Sequence, residues 1–316
     1  MRALILNRTL EFKRDYPDPS PGPGESRIRV RMAGICGTDL ELARGYMTFH
    51  GVPGHEFVGE VVQTARRDLA GKRVVGEINA ACGDCEWCGA GLGRHCPTRT
   101  VLGILGRDGA FAEYLCLPDD NLIPVPDSIP DEIAVFTEPV AAAFEIFDQV
   151  SLTSNQTILV LGNGRLGAIV AMALVAEGLK PTISGHHKDK LARLYSLGFV
   201  TEMEANLTTG FDVVIDCTGA AAGFGRALEL VRPRGTLILK STAAGSAPVN
   251  LALIVINEVT VIGSRCGRFA PALAALASGK IDPRPLISAI LPLEDGMAAI
   301  AQAGEPSSFK VLLRVS

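Results

Sequence analysis

The sequence is poor in aromatic residues and has no apolar run long enough to cross a bilayer. Aromatic residues make up 5% of its 316 residues, and there is a single tryptophan. A transmembrane helix needs about 20 consecutive apolar residues, and the longest uninterrupted stretch, around residues 166–176, is too short. The first residues, MRALILNRTLEFKRD, return to charge quickly, which predicts a strand rather than a signal peptide. We therefore expect a cytoplasmic protein without a membrane partner.

The numbers of acidic and basic residues are also nearly balanced. Charged residues make up 20% of the chain, the formal net charge is −4, and the pI is about 5.8. A nucleic-acid-binding protein is expected to carry a basic stripe or patch, so we expect no nucleic-acid partner. The eight cysteines, in a reducing compartment, predict metal ligands or buried thiols rather than disulfides.

Two textures divide the chain, which is too long for one ordinary core. Up to about residue 122 short strands and turns dominate, and residues 27–32 alternate polar and apolar side chains as a half-buried strand does. From about residue 129 strands alternate with helices, which predicts a parallel sheet covered on both faces. A helix around residues 296–303 and a final strand at 310–315 have no place in that sheet, so we expect them to return to the first domain.

A glycine-rich turn marks the start of the predicted parallel sheet. Residues 162–167 read G-N-G-R-L-G between a predicted strand and a predicted helix, which is the context that a dinucleotide-binding fingerprint requires. Gly162 allows the tight turn, Gly164 lets the backbone approach a pyrophosphate, and Gly167 lets the helix pack closely. The helix N-terminus then offers N–H groups to the phosphates. The alternative is a tight turn without a ligand.

The end of the second predicted strand indicates which dinucleotide binds. NAD-binding folds usually place an acid about 20 residues beyond the glycines, whereas this chain has Ser184, Gly185, His186, His187 and Lys188 there. No acid in this set repels a 2′-phosphate, and hydroxyl or cationic groups can bind one. The sequence therefore favours NADP(H) over NAD(H). Asp189 keeps NAD(H) open, and a solvated loop without discrimination is the other alternative.

Four cysteines are closely spaced in a glycine-rich loop. They are Cys82, Cys85, Cys88 and Cys96. Four thiolates at this spacing can fill every position of a tetrahedral zinc, which makes the site structural. An iron–sulfur cluster or unligated thiols are the alternatives. Metal binding here would supply local folding energy.

A second ligand set lies nearer the N-terminus. Cys36 and the pair His55-Glu56 supply a thiolate, an imidazole and a carboxylate. Three protein ligands with one open position are typical of a catalytic zinc. The sequence thus predicts two zinc ions per chain, one catalytic and one structural.

Taken together, these motifs resemble the zinc-dependent medium-chain alcohol dehydrogenases, in particular the sorbitol (polyol) and threonine dehydrogenase branch. The resemblance covers essentially the whole chain. It rests on the four cysteines, the glycine fingerprint and four further motifs, which are C-G-T-D at 36–39, G-H-E-F-V-G-E-V at 54–61, G-A-F-A-E-Y at 109–114 and T-E-P-V-A at 137–141.

The resemblance implies an α/β plus β architecture. An N-terminal GroES-like domain, a partly open β-barrel that carries the catalytic zinc, is expected at residues 1–128. A Rossmann domain with a doubly wound parallel sheet is expected at 129–281. Residues 282–316 would return to complete the catalytic domain.

The resemblance also implies roles for individual residues. Cys36 and His55 would be fixed ligands of the catalytic zinc. Glu138 would hold the third protein position, with Glu56 as a second carboxylate candidate that binds zinc directly or only during ligand exchange. Which glutamate binds at rest stays open, and the alternative for Glu138 is an acid favoured by a helix N-terminus.

Three residues near Cys36 bear on proton transfer. Thr38 is placed to relay the proton of a bound alcohol, and Asp39 is expected to orient His55. Both are turn-forming residues in the alternative interpretation. Some relatives carry a histidine at the position of Glu41, so the relay beyond Thr38 departs from the family pattern here.

The cofactor contacts implied by the fingerprint and the family extend beyond the three glycines. They add Asn163, Arg165, Leu166, Cys217, Thr218 and Gly219 to the glycines and to residues 184–188. Cys217 is expected to act mainly as a small packed side chain.

These observations predict an oxidoreductase that transfers hydride between a nicotinamide cofactor and an alcohol or polyol, or the corresponding carbonyl compound. A non-catalytic NADPH-binding sensor or structural relative, and a zinc-free quinone-reductase-like enzyme, are the alternatives. We expect a homodimer or homotetramer. The apolar residues 249–256 could pair subunits or could be a buried core segment.

Overall fold

A computed structural model describes residues 1–242 and 245–316. The chain forms two compact units. One comprises Met1–Glu138 and Arg268–Ser316, and the other comprises Pro139–Gly267. The domain boundaries expected from the sequence, after residues 128 and 281, stay predictions.

Short strands dominate the N-terminal segment. Its strands are β1 Ala3–Leu6, β2 Leu10–Lys13, β3 Glu25–Gly34, β4 Glu56–Gln63, β5 Arg73–Gly76, β6 Asn79–Ala80, β7 Thr100–Leu102, β8 Gly106–Arg107, β9 Tyr114–Pro118 and β10 Leu122–Pro124. Its helices are α1 Gly37–Ala43, α2 Glu86–Gly89 and α3 Asp131–Ala134.

Strands and helices alternate along the following segment. Its helices are α4 Thr137–Gln149, α5 Arg165–Ala176, α6 Lys188–Ser196, α7 Gly223–Leu230 and α8 Ala252–Ile256. Its strands are β11 Ile158–Leu161, β12 Thr182–Gly185, β13 Val200–Met203, β14 Phe211–Asp216, β15 Val231–Leu239 and β16 Thr260–Gly263. The C-terminal segment adds α9 Phe269–Ala277, β17 Ile287–Pro292, α10 Gly296–Ala303 and β18 Lys310–Arg314. No described helix has the length and apolar character needed to span a membrane.

The first unit is built around a seven-stranded sheet. Its strand order is β10-β5-β4-β3-β18-β17, with β9 also paired to β3. In β3 the side chains of Ile28, Val30 and Met32 are buried, and the arginines between them face outward, where Arg29 pairs with Glu60 at 2.8 Å. This is the alternation that the sequence predicted. The C-terminal strand β18 pairs antiparallel with β3, so the end of the chain completes the first unit.

The second unit is a doubly wound parallel sheet. Its six strands lie in the order β13-β12-β11-β14-β15-β16, and every pairing is parallel. Numbered along this unit, the order is that of the Rossmann fold, so the predicted doubly wound sheet is confirmed. The central strand β11 is buried along its whole length, as a strand covered by helices on both faces must be.

The apolar residues 249–256 divide between core and surface. Val249, Leu253 and Ile254 pack against the core cluster of the second unit. Leu251, Val255 and Ile256 are 63%, 77% and 74% exposed. The segment is therefore not a fully buried core element, and α8 presents an apolar face to the surroundings.

Candidate metal centres and cofactor site

The pairing of β3 with β4 brings the first ligand set together. Gly34, near the end of β3, lies opposite Glu56 at the start of β4, and a Cβ at Gly34 would lie 2.2 Å from Glu56 Oε2. Glycine at this position thus leaves room for the carboxylate. Cys36 follows two residues after Gly34, and one ligand atom from each of Cys36, His55 and Glu56 lies within 4.8 Å of the others.

The turn that carries Cys36 is held by a hydrogen bond from its backbone to the side chain of Asp39. Cys36 is the N-cap of α1, and its backbone N–H donates a hydrogen bond of 2.7 Å to Asp39 Oδ2. The other carboxylate oxygen of Asp39 lies 3.3 Å from His55 Nδ1, although neither atom has a hydrogen bond of good geometry among the described residues. This proximity is what the predicted orienting role of Asp39 requires.

The charges around His55 counteract the effect of burial on its pKa. Burial alone would lower the pKa of His55, but the Asp39 carboxylate and the Cys36 sulfur outweigh it and hold this pKa well above its usual value. The environment of the imidazole thus favours a positive charge. A zinc ion bound here would supply one, and would displace the proton because metals bind neutral imidazole. The donor set of a half-buried thiol, a buried imidazole and a buried carboxylate fits zinc.

Glu56 has a buried partner that sequence reasoning missed. Lys310, at the start of β18, donates to Glu56 Oε1 at 2.7 Å and also contacts Oε2. The side chains are 2% and 1% exposed. A lysine at the start of a strand is a weak sequence signal, and its partner lies 254 residues away. Lys310 thus forms a buried ion pair with Glu56.

Glu138 lies at the start of α4 rather than in this cluster. Between the end of α3 and the start of α4, Phe136 is fully buried, and Thr137 Oγ1 donates a hydrogen bond of 2.7 Å to the Ala134 carbonyl. Glu138 is half-buried in the first turn of α4. Among the described residues, the group of close ligand atoms around Cys36 includes Glu56 and not Glu138. Zinc ligation by Glu138 stays a prediction.

We expect the Lys310→Met substitution to destabilise the zinc-free protein by about 3 kcal/mol, because breaking a buried ion pair leaves an uncompensated charge. Denaturant unfolding measures the change. In the double variant Lys310→Met/Glu56→Gln the buried charge is gone, so most of the stability should return. Equal losses in the single and double variants would contradict the role of charge and point to packing instead.

The four cysteines form a closed cluster. Their Sγ atoms are 3.5 Å apart for Cys85 and Cys88, 3.5 Å for Cys82 and Cys96, 3.8 Å for Cys85 and Cys96, and 3.9 Å for Cys82 and Cys88. Four sulfurs at the usual zinc–sulfur bond length of about 2.3 Å stand about 3.8 Å from one another in a tetrahedron. A backbone hydrogen bond lowers the pKa of Cys96 to about 6, whereas burial raises that of Cys88 to about 12, so Cys96 is the thiol that ionises more readily. The cluster thus fits a structural zinc.

The glycine fingerprint adopts the geometry that a dinucleotide needs. Gly162 has a φ of 114°, and a Cβ there would lie 2.6 Å from the carbonyl oxygen of Cys217. A Cβ on Gly167 would lie 1.9 Å from the carbonyl oxygen of Gly162, whereas Gly164, the N-cap of α5, has no atom within 4 Å of that position. The backbone is thus closely packed behind the turn and open in front of it, which fits an approaching pyrophosphate. Arg165 and Leu166 form the first turn of α5.

The loops beside this turn hold the other predicted cofactor contacts. Asn163 Nδ2 donates a hydrogen bond of 2.8 Å to the carbonyl of His187. The backbone N–H and the hydroxyl of Thr218 donate hydrogen bonds of 2.9 and 2.8 Å to Asp216 Oδ1. Gly219 donates its N–H to Ser241 Oγ at 2.9 Å. Burial, followed by the negative charge of Asp216, raises the pKa of Cys217 well above its usual value, so its thiol is neutral and inert.

The end of β12 has two features relevant to the adenosine ribose. Ser184 Oγ is fully buried and has no hydrogen-bond partner among the described residues. A Cβ on Gly185 would lie 2.2 Å from Asn163 Oδ1, so Asn163 fills the space that a side chain would need. Lys188 begins α6. The sequence did not predict one charged neighbour of this loop. Glu204 Oε2 lies 2.9 Å from His186 Nε2.

A thiol-containing ligand set that could hold a metal ion lies in one unit, and a dinucleotide-binding fold lies in the other, a combination that points to a metal-dependent oxidoreductase. The chain matches the alcohol dehydrogenase GroES-like domain over residues 22–127 and the zinc-binding dehydrogenase domain over residues 166–278. It is 30% identical to the L-threonine 3-dehydrogenase of Chelativorans sp. strain BNC1, across 99% of this chain and 98% of that protein.

Two solved structures are also similar. One, described as a short chain alcohol dehydrogenase from E. coli CFT073 complexed with NADH, has a TM-score of 0.91 and 25% identity, covering 100% of this chain and 99% of that one. The other, a zinc-binding dehydrogenase of Sinorhizobium meliloti 1021 bound to NADP, has a TM-score of 0.89 and 28% identity, covering 99% of each chain. This chain belongs to the zinc-dependent medium-chain alcohol dehydrogenase family, in its threonine and sorbitol dehydrogenase branch. The predicted family and the predicted GroES-like and Rossmann fold are thereby confirmed.

Proposed function

We propose that this protein oxidises an alcohol or polyol, or reduces the corresponding carbonyl compound, with NADP(H) as the preferred cofactor. The observation that carries this proposal is the cluster of Cys36, His55 and Glu56, a ligand set of three different donors in which Cys36 is half-buried and the other two are buried. A structural zinc is closed by four ligands, and the four cysteines already provide that kind of site in this chain. A non-catalytic binding protein has no need of a second, open one.

The residues have distinct tasks in this reaction. Zinc would supply the Lewis acidity that favours ionisation of an alcohol, and the nicotinamide would accept the hydride. Cys36 and His55 would hold the metal, with Glu56 or Glu138 as the acidic ligand and Asp39 orienting His55. The half-buried Thr38 hydroxyl would pass the substrate proton towards solvent. We propose two zinc ions per chain, one in each cluster.

The preference for NADP(H) is supported by the end of β12. Gly185 cannot carry the acid that selects NAD, since Asn163 occupies the place of its side chain. Ser184 Oγ is an unused donor, and residues 186–188 add imidazole and ammonium groups. The similar structures contain NADP in one case and NADH in the other, so the preference rests on this chain's own residues.

Assembly and location are also proposals. The exposed apolar face of α8 supports a homodimer or homotetramer, because large exposed apolar groups often mark contact surfaces. Cysteines gathered in metal clusters support a cytoplasmic location, where thiols stay reduced.

A substrate panel tests the proposal. We expect the zinc-loaded protein to reduce NADP⁺ with a higher kcat/KM than NAD⁺ when given polyols or vicinal hydroxy compounds, with L-threonine and sorbitol in the panel. Zinc-depleted protein is the control. Tight NADPH binding without turnover of any alcohol or carbonyl compound would favour the non-catalytic alternative. Quinone reduction that survives zinc removal would favour the zinc-free one.

A further inference from the structure

The carboxyl ends of two neighbouring strands place an imidazole beside a carboxylate. Gly185 of β12 is in register with Met203 of β13. Each is the last residue of its strand, and the residues that follow them are His186 and Glu204. Dinucleotides bind in the crevice beyond the carboxyl ends of parallel strands. An acid is therefore present at this edge of the sheet, and it directly follows β13, the strand next to β12.

His186 and Glu204 are joined by a short contact. His186 Nε2 lies 2.9 Å from Glu204 Oε2, with the two side chains 78% and 15% exposed. Arg226 of α7 lies 3.6 Å from the other carboxylate oxygen of Glu204. Arg226 makes a shorter contact, of 2.8 Å, with Glu229. His186 is therefore the closer partner of Glu204, and it is the one whose charge depends on pH.

Other charged groups surround this pair without replacing it. The loop of His186 and helix α6 carry His187, Lys188, Asp189 and Lys190. The neighbouring elements carry Arg165 (α5), Glu202 (β13), and Arg226 and Glu229 (α7). Glu202 Oε1 is engaged by the Met203 N–H at 3.0 Å and by Asn206 Nδ2 at 2.8 Å. Burial, followed by the positive charge of Arg165, lowers the pKa of Lys190 to about 8.

We propose that His186 and Glu204 together decide between 2′-phosphorylated and unphosphorylated cofactors, and that their decision changes with pH. This inference rests on the proposed function, because it concerns the site that would bind the adenosine ribose. Protonated His186 neutralises Glu204 and offers an N–H to the 2′-phosphate. Neutral His186 leaves the Glu204 carboxylate to repel the phosphate and to accept a hydrogen bond from the 2′-hydroxyl of NAD.

The direction of the effect follows from two titrations. Histidine normally changes charge between pH 5 and 8, so the positive charge beside Glu204 is lost as the pH rises. A phosphate monoester loses its second proton near pH 6, which strengthens its attraction to cations as the pH rises and so works in the opposite direction. The second ionisation of the phosphate takes place with every variant, so a variant without the imidazole supplies the baseline.

The experiment measures dissociation constants of NADP⁺ and NAD⁺ by calorimetry, with zinc-loaded protein and no alcohol present. From about pH 6 to about pH 8.5 we expect the ratio Kd(NAD⁺)/Kd(NADP⁺) to fall about threefold to tenfold further in the wild type than in His186→Asn. Asparagine can still donate a hydrogen bond to Glu204 but does not titrate. Glu204→Gln should raise the ratio about threefold to tenfold near pH 8.

Glu229→Gln is the matched control. It removes a carboxylate that also contacts Arg226, so a ratio like that of the wild type is expected. The proposal is overturned if wild type and His186→Asn show the same pH slope, or if Glu204→Gln raises the ratio no more than Glu229→Gln. Tighter binding of NAD⁺ at every pH would refute the proposed NADP(H) preference, while a slope that depends on His186 would still support the pairing. Binding of neither cofactor would refute both.

Discussion

Replacing Cys36 by serine should remove one of two zinc ions and lower kcat/KM by about 10³-fold or more, because the Lewis acidity of a catalytic metal is worth several kcal/mol. The thiolate is the donor that serine cannot imitate at neutral pH. The backbone of the turn should survive, since its N–H to Asp39 contact of 2.7 Å does not use the sulfur. Metal analysis, steady-state kinetics and thermal unfolding measure the three effects.

Cys116 provides the matched control for this substitution. It is buried in β9 and belongs to neither thiol cluster, and burial raises the pKa of its thiol to about 11. Cys116→Ser should keep both zinc ions and full kcat/KM, even if it unfolds at a lower temperature. A Cys36→Ser protein that retains two zinc ions and normal turnover would show that the catalytic metal lies elsewhere or is not needed.

The cysteine and glycine motifs could be predicted from the sequence because their geometry is local. The four thiols lie within one loop, and the fingerprint from Gly162 to Gly167 joins adjacent elements, so spacing alone constrains them. The central strand β11 was equally recognisable, since a strand buried on both faces must be apolar throughout. In each case a short window of sequence contains all the information that the structure uses.

The edge strands of the parallel sheet were not predicted. β13 and β16 have mixed burial, and Val200, at the start of β13, is 58% exposed. Strands at an edge need no continuous apolar run, so their sequences resemble loops. This omission had a consequence for the cofactor site, because Glu204 directly follows β13 and its place beside His186 depends on the pairing of that strand.

Contacts between distant segments set the rest of the site. Lys310 reaches Glu56 only because β18 adds to β3 next to β4, and neither residue identifies the other in the sequence. The same limit applies to the acidic zinc ligand. Family resemblance points to Glu138, whereas the strand pairing places Glu56 beside Cys36 and His55.

The second large effect is expected at the four-cysteine loop. Removal of its metal, by the double substitution Cys82→Ser/Cys96→Ser, should unfold this loop, because it has almost no core of its own. Among residues 81–97, all of them described, Cys96 is the only buried one. Zinc binding supplies about 10 kcal/mol or more of folding free energy in small zinc domains. If about 5 kcal/mol of that reaches the whole protein, the unfolding temperature should fall by about 10 °C or more.

The chain carries its own reporter for this event. Its single tryptophan, Trp87, lies in α2 between Cys85 and Cys88 and is 50% exposed. Unfolding of the loop should expose the indole fully and shift its emission to longer wavelength. The Cys36→Ser protein is the best background for a chelator titration, since its remaining zinc would be the one held by the four thiols, and added zinc should restore the emission. Loss of that zinc with neither an emission shift nor a lower unfolding temperature would show that protein packing, rather than the metal, holds the loop.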